Sequence, residues 1–146
     1  MFDFENSATY ILMQLSLAYR NSLERALNVL GLHSGQIFVL ISLWRTDGLS
    51  QIDLVKSLKI TAPTVNNMVK SLSASGFIEL RKCESDGRLM RVFLTVKGVD
   101  CQKSVAEQWG KIEAVGLSNL TDTEKLILAQ LFGKMKENLS GDIKTL

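Results

Sequence analysis

Leu12, Leu15, Tyr19, Leu23, Ala26 and Leu30 recur at intervals of three and four, which places them on one stripe of an α-helix. The pattern predicts a first helix from Asn6 or Ser7 to Leu30, stopped by Gly31. Ile37, Leu40, Ile41 and Trp44 make a second stripe, on a helix that starts near Ser34 and stops at Asp47-Gly48. Ser50, with Asp53 three residues on, reads as the capping box of a short third helix whose apolar residues are Ile52, Leu54, Val55 and Leu58. After a turn at Lys59-Ile60, Thr61 is the expected cap of a fourth helix. Pro63 falls in its first turn, where a missing N–H costs little. Val65, Met68, Val69 and Leu72 are the expected buried side of this helix, and Thr64, Asn66, Asn67, Lys70 and Ser71 its polar side. Gly76 is the expected left-handed close.

The period then shortens. Residues 76–98 read as two short strands joined by a polar loop with an Asp86-Gly87 turn. Beyond them a fifth helix is expected from Val96 to Gly116, with Val105, Trp109 and Ile112 on one face. A sixth opens on the capping box Thr121-Asp122-Thr123-Glu124 and carries Leu128, Leu131, Phe132, Met135 and Leu139. Helix, turn, helix and a basic-tipped hairpin outline a winged helix-turn-helix. The predicted fold is therefore mainly α with a small β-hairpin, in one domain over residues 1–146. The winged part spans 33–98, and 1–32 and 99–146 supply dimerisation helices, because the first, fifth and sixth helices are more apolar than a small reading module needs. In such a fold the second helix of the pair fits the major groove of DNA, and the hairpin reaches along the backbone or into the minor groove. A two-fold dimer would set two reading helices about 34 Å apart on a pseudo-palindromic site.

Composition changes this picture little, and charge distribution changes it more. Apolar residues are 46% of the chain, enough for a core. The longest apolar run, Ile37–Leu43, is interrupted by Ser42 and too short to span a bilayer, and the start Met-Phe-Asp-Phe-Glu has no signal-peptide pattern. Cys83 and Cys101 do not make a disulfide framework, so a cytoplasmic protein with no membrane partner is expected. Net charge is only +2, but residues 49–98 carry +4 while each flank carries −1. Excess positive charge on the expected reading module suits phosphate binding. Enzyme chemistry finds no support. With one histidine, no cluster of metal ligands, no glycine-rich phosphate loop and no Gly-x-Ser-x-Gly elbow, neither a catalytic centre nor a cofactor or metal site is expected.

The chain resembles the MarR family of bacterial transcriptional regulators over nearly its whole length. The resemblance rests on Leu49–Leu58, on Thr61-Ala-Pro-Thr-Val65 with Leu72 and Gly76-Phe-Ile-Glu79, and above all on Asp86-Gly-Arg88 followed by Val92-Phe-Leu-Thr95 and Gly98. It implies a sequence-specific regulator of transcription that binds double-stranded DNA, a homodimeric repressor released by a small-molecule effector. Arg88 matches the wing-tip arginine that enters the minor groove, where a planar cation is favoured. Asp86 matches the acidic residue of the same motif, read here as orienting Arg88 or a neighbouring arginine, and Arg91 joins the DNA-binding set. Thr61, Pro63, Thr64, Asn66, Asn67 and Lys70 fall on the exposed side of the recognition helix, and Ser50 and Gln51 open the third helix, where free N–H groups favour phosphate. The chain departs from the family pattern at Asn67 and Leu80, where many relatives carry arginine.

The family often binds small aromatic or anionic ligands between its dimer helices and its reading part. Tyr19, His33, Phe38 and Trp44 are the candidates for such a pocket, and each is equally at home in a core. Two other readings stand beside the repressor. One is a winged-helix protein-interaction module without DNA binding, which the missing arginines favour. The other is a cysteine-based redox-sensing regulator, although the family's sensing cysteine typically lies in the first helical region, where this chain has none.

Overall fold

The computed structural model describes residues 3–87 and 89–142, with side chains as far as Leu139. Its elements are α1 (Ala8–Asn28), α2 (Ile37–Arg45), β1 (Leu49–Ser50), α3 (Gln51–Leu58), α4 (Ala62–Ala74), β2 (Ile78–Lys82), β3 (Met90–Leu94), α5 (Val96–Gly116) and α6 (Asp122–Asp142). They divide into two compact units, Met1–Ile112 and Glu113–Leu146.

The first unit has a continuous apolar core. Leu23 and Leu27 of α1, Leu40 and Leu43 of α2, Leu54 of α3, Val65, Val69 and Leu72 of α4, Phe77 and Ile78 at the start of β2, Val92 of β3 and Val105 of α5 are all buried in it. Each fully buried Leu, Val or Phe contributes about 1.5–3 kcal/mol. The core is thus shared between the helix-turn-helix, the wing, and one stretch each of α1 and α5. Ile52 departs from the expected pattern: it is 58% exposed, because a helix as short as α3 presents only Leu54, with Val55 and Leu58 partly, to the core.

Local chemistry closes each helix. At the end of α4, Gly76 adopts φ +76, a backbone that side-chain-bearing residues avoid. Its N–H donates to the Ser73 carbonyl, and the Phe77 N–H donates to Leu72. Buried Phe77 and Leu72 supply the apolar contact of this Schellman-type stop and turn the chain straight into β2. Lys59, between α3 and α4, also takes a left-handed conformation (φ 55), and its N–H donates to Val55 at 2.9 Å.

Two elements differ from the sequence pattern. First, the wing is a three-stranded antiparallel sheet in the order β1-β3-β2, with Leu49 opposite Val92, Ser50 opposite Arg91, and Leu80 opposite Val92 on the other side. A two-residue strand is too short to show an alternation, so only pairing with β3 reveals it. Second, α2 begins at Ile37 rather than near Ser34. Residues 34–36 form a turn in which the Ser34 N–H donates to Glu24 and the His33 N–H to the Gln36 side chain.

The second unit holds α6, which follows the expected cap. The Thr121 N–H donates to Glu124 Oε2 at 2.7 Å, and the Glu124 N–H donates back to Thr121 Oγ1 at 3.2 Å. Leu126, Ile127, Leu131, Phe132 and Leu139 are exposed in the single chain. On α1, Tyr10, Ile11, Met13, Leu15 and Leu17 are exposed in the same way. Among the described residues no helix is long and apolar enough to cross a membrane, and no group of His, Cys, Asp or Glu is placed to hold a metal ion.

Candidate nucleic-acid interface

The polar side of α4 is built as its sequence suggests. Thr61, Pro63, Thr64, Asn67 and Lys70 are exposed and Asn66 is half-buried, while Val65, Val69 and Leu72 hold the opposite side in the core. One expectation is corrected at the helix start. Thr61 sits at the N-cap with extended backbone, but its hydroxyl makes no capping bond. A cap normally serves the second or third amide of the helix; Pro63 removes the second, which leaves only that of Thr64. The Thr61 hydroxyl instead pairs with that of Thr64 at 2.8 Å. Two hydroxyls and the open N-terminal turn are thus presented at the end from which recognition helices contact base edges. Ser71 departs from the polar row: its hydroxyl accepts a bond from the buried Gln36 side chain.

At the start of α3 the capping box is complete. The Asp53 N–H donates to Ser50 Oγ at 3.1 Å, and Asp53 Oδ2 accepts both the Ser50 N–H (3.0 Å) and the Ser50 hydroxyl (2.7 Å). The Ser50 bonds, first of all its hydroxyl, hold the Asp53 carboxyl below its usual range. Ser50 therefore spends its donors inside the cap. A phosphate here would be met by amides of the first turn, including that of half-buried Gln51, which have no intrahelical acceptor by construction.

In the wing, Asp86 is exposed and its carbonyl accepts the Leu89 N–H at 3.0 Å, which closes the tip. Arg88 lies outside the described residues. Arg91 is half-buried and has internal partners: its Nη1 donates to the Gly48 carbonyl at 2.8 Å, tying β3 to the loop before β1, and it also bonds the Cys83 thiol. Arg81 forms an ion pair with Glu79 and lies over the Phe93 ring at 4.7 Å. Lys97 donates to the Ser75 carbonyl and lies over the Phe77 ring at 4.1 Å. The local charge excess of 49–98 is therefore partly committed to the fold, with Lys56, Lys70 and Lys82 among its exposed cations.

The four pocket candidates have different surroundings. Tyr19 is half-buried on α1. Phe38 is exposed on α2, and Trp44 is packed against the core with its indole N–H donating to the Gly98 carbonyl at 2.9 Å. His33 is exposed, with Nδ1 2.6 Å from Glu24 Oε1. Glu24 accepts bonds from His33 and from the Ser34 N–H, which bring its carboxyl down from 4.5 to about 2. That ionised carboxylate can only accept, so Nδ1 of His33 carries the proton. Neither Glu24 nor Gln36 stands out in the sequence. Glu24 lies between Leu23 and Arg25 like any charge on a helix, Gln36 lies between Gly35 and Ile37, and the partner that ties each to another element is distant in the chain.

Residues 32–90 match the model of the MarR family. Among curated proteins, an uncharacterised HTH-type transcriptional regulator of Bacillus subtilis, YybA, is 26% identical over 113 residues, covering 77% of this chain and 75% of its own. A putative MarR family regulator of Listeria monocytogenes, solved with a 26mer DNA, superposes with a TM-score of 0.84 at 24% identity, over 94% of this chain and 91% of that one. BpsR of Bordetella bronchiseptica, whose DNA binding is regulated by 6-hydroxynicotinic acid, gives a TM-score of 0.84 at 20% identity, over 93% and 97%. The winged helix-turn-helix is thus in place, and the segment that holds it is the one that matches the MarR family model.

Proposed function

We propose that this protein is a homodimeric, non-enzymatic regulator of transcription that binds a pseudo-palindromic site in double-stranded DNA, acting in the cytoplasm as a repressor released by a small aromatic or anionic effector. The observation that carries the reading is the exposed start of α4, with Thr61, Pro63, Thr64, Asn67 and Lys70 on a helix whose other side is locked in the core. Asn can pair bidentately with adenine, and Lys can contact guanine or phosphate. The Listeria regulator solved with DNA supports the partner, and the regulation of BpsR by 6-hydroxynicotinic acid supports the effector. The exposed apolar rows of α1 and α6 support a dimer, since contiguous apolar surface of this kind is covered in a stable protein. An effector that binds better to a dimer of the wrong spacing would draw the population away from the DNA-competent form.

Selection from random duplexes at two salt concentrations tests the reading. Enrichment of a palindrome with half-sites about one turn apart is the expected result. Absence of both enrichment and salt-sensitive binding would sink it in favour of a protein-interaction module.

One observation favours a second, redox-responsive reading. Bonds from Ser85 and then Arg91 bring the Cys83 thiol down from 9.0 to about 6, where β2 enters the loop of the wing. Peroxide would then lower operator affinity in the wild type and leave Cys83→Ser unaffected. An equal response in both proteins removes this reading.

A further inference from the structure

A path of hydrogen bonds runs through the first unit from α1 to the recognition helix. Glu24 on α1 holds His33 Nδ1 through Oε1 at 2.6 Å, and its Oε2 accepts the Ser34 N–H at 2.7 Å. The His33 N–H donates to Gln36 Oε1 at 2.9 Å. Gln36 Nε2 donates to Ser71 Oγ on α4 at 2.7 Å, across 35 residues of chain. Gln36 is 4% exposed and sits among apolar residues, with Ile37 beside it fully buried. A primary amide in that setting has to be paired at both ends, and here each end is paired to a different element. Apolar contacts between helices tolerate sliding. A buried amide bonded at both ends does not, because a shift of one bond length leaves a donor or acceptor stranded.

Resting on the DNA-binding reading above, we propose that Gln36 is a positioning residue that sets the orientation of α4 relative to α1, so that movement of the dimer helix is transmitted to the recognition helix through Glu24, the 33–36 turn, Gln36 and Ser71. None of these residues belongs to the exposed set at the start of α4, so their effect on DNA passes through the placement of that helix. The path begins where α1 leaves for the turn, so an effector that altered α1 would be felt at α4 through it.

The test uses full-length protein carrying Ser71→Ala, Gln36→Leu and the pair. Ser71 is an exposed residue, so Ser71→Ala opens no cavity in the core and removes only the acceptor of the Gln36 Nε2 bond. Affinity for the selected operator should fall about fivefold or more in each single variant. The double variant should fall no further than Gln36→Leu alone, because that change already removes the bond to Ser71 together with the one from the His33 N–H. Non-specific affinity and its salt slope should stay at the wild-type value, since no phosphate contact is lost. A variant that merely unfolds in part would lose specific and non-specific binding together, so the split separates positioning from stability. Unchanged operator affinity, or effects of the singles that add, overturns the proposal. If the wild-type protein selects no operator, the DNA reading fails by itself. The coupling is then read by hydrogen exchange: the Ser34 amide should exchange faster in Ser71→Ala than in wild type, and equal rates overturn it.

Discussion

At the residue scale, the side chains of the Leu94-Thr95…Gly98 exit owe their identity to contacts rather than to DNA. The Thr95 hydroxyl donates to the Gly76 carbonyl at 2.6 Å and accepts the Gly98 N–H at 3.1 Å, so it caps α5 and clamps the end of α4 at once. A Cβ on Gly98 would lie 2.0 Å from the Phe77 carbonyl oxygen. In an open helix Gly→Ala is stabilising, but this contact is against backbone, so Gly98→Ala should cost about 1–3 kcal/mol, measured by urea denaturation. An unchanged midpoint would mean that the α5 start has room to move. The two cysteines should likewise differ. Cys83, at about 6, is largely thiolate at pH 7, while burial pushes the Cys101 thiol up. Iodoacetamide at pH 7 should therefore label Cys83 well ahead of Cys101 by mass spectrometry, and equal rates would contradict the bonding around Cys83.

At the scale of elements, caps and periods were legible in the chain. Both capping boxes, at Ser50 and Thr121, form as their spacing suggests, because the partners lie within one turn. Replacing Asp53 by Ala should cost about 1 kcal/mol of stability in denaturation and leave the proposed α4 contacts to DNA intact. Thr61 stands at the expected cap position, but its hydroxyl pairs with that of Thr64, a choice of partner that spacing alone does not show. The start of α2 was misplaced because Glu24, ten residues back, takes the Ser34 N–H. That contact also carries a pH signature. The Glu24 carboxyl titrates at about 2 in the folded protein against 4.5 ordinarily, so its contribution to stability is full above 4.5 and is lost as pH falls toward 2. The melting-temperature difference between wild type and Glu24→Gln should accordingly be present at pH 6 and shrink on acidification through that window. A difference that stays constant down to pH 2 would show that the carboxylate gains nothing from His33 and Ser34.

At the scale of the molecule, the apolar rows on α1 and α6 make the single chain incomplete as a soluble body, and the proposed dimer is their natural cover. Reading and pairing then use different parts of the chain. Arg88→Ala should weaken operator binding strongly while sedimentation still reports a dimer. Loss of the dimer in that variant would show that the wing tip has a structural role instead. Asn67 and Leu80 stand where many relatives carry arginine, so the salt slope of binding should be shallower than six to ten phosphate contacts would give. A slope in that range would mean that other cations take over.

By itself the sequence determined the order and type of the helices, the wing and the polar side of α4, because these are written in short-range periodicity, capping and turn residues. The tertiary structure alone decided which polar groups are spent internally. Arg91, Ser71 and Gln36 all find partners inside the fold, and Gln36 and Arg91 do so across 35 and 43 residues. A hydrogen bond over such separations leaves no local pattern. A polar residue that faces solvent and one that bridges two elements look alike until the chain has brought their partners together.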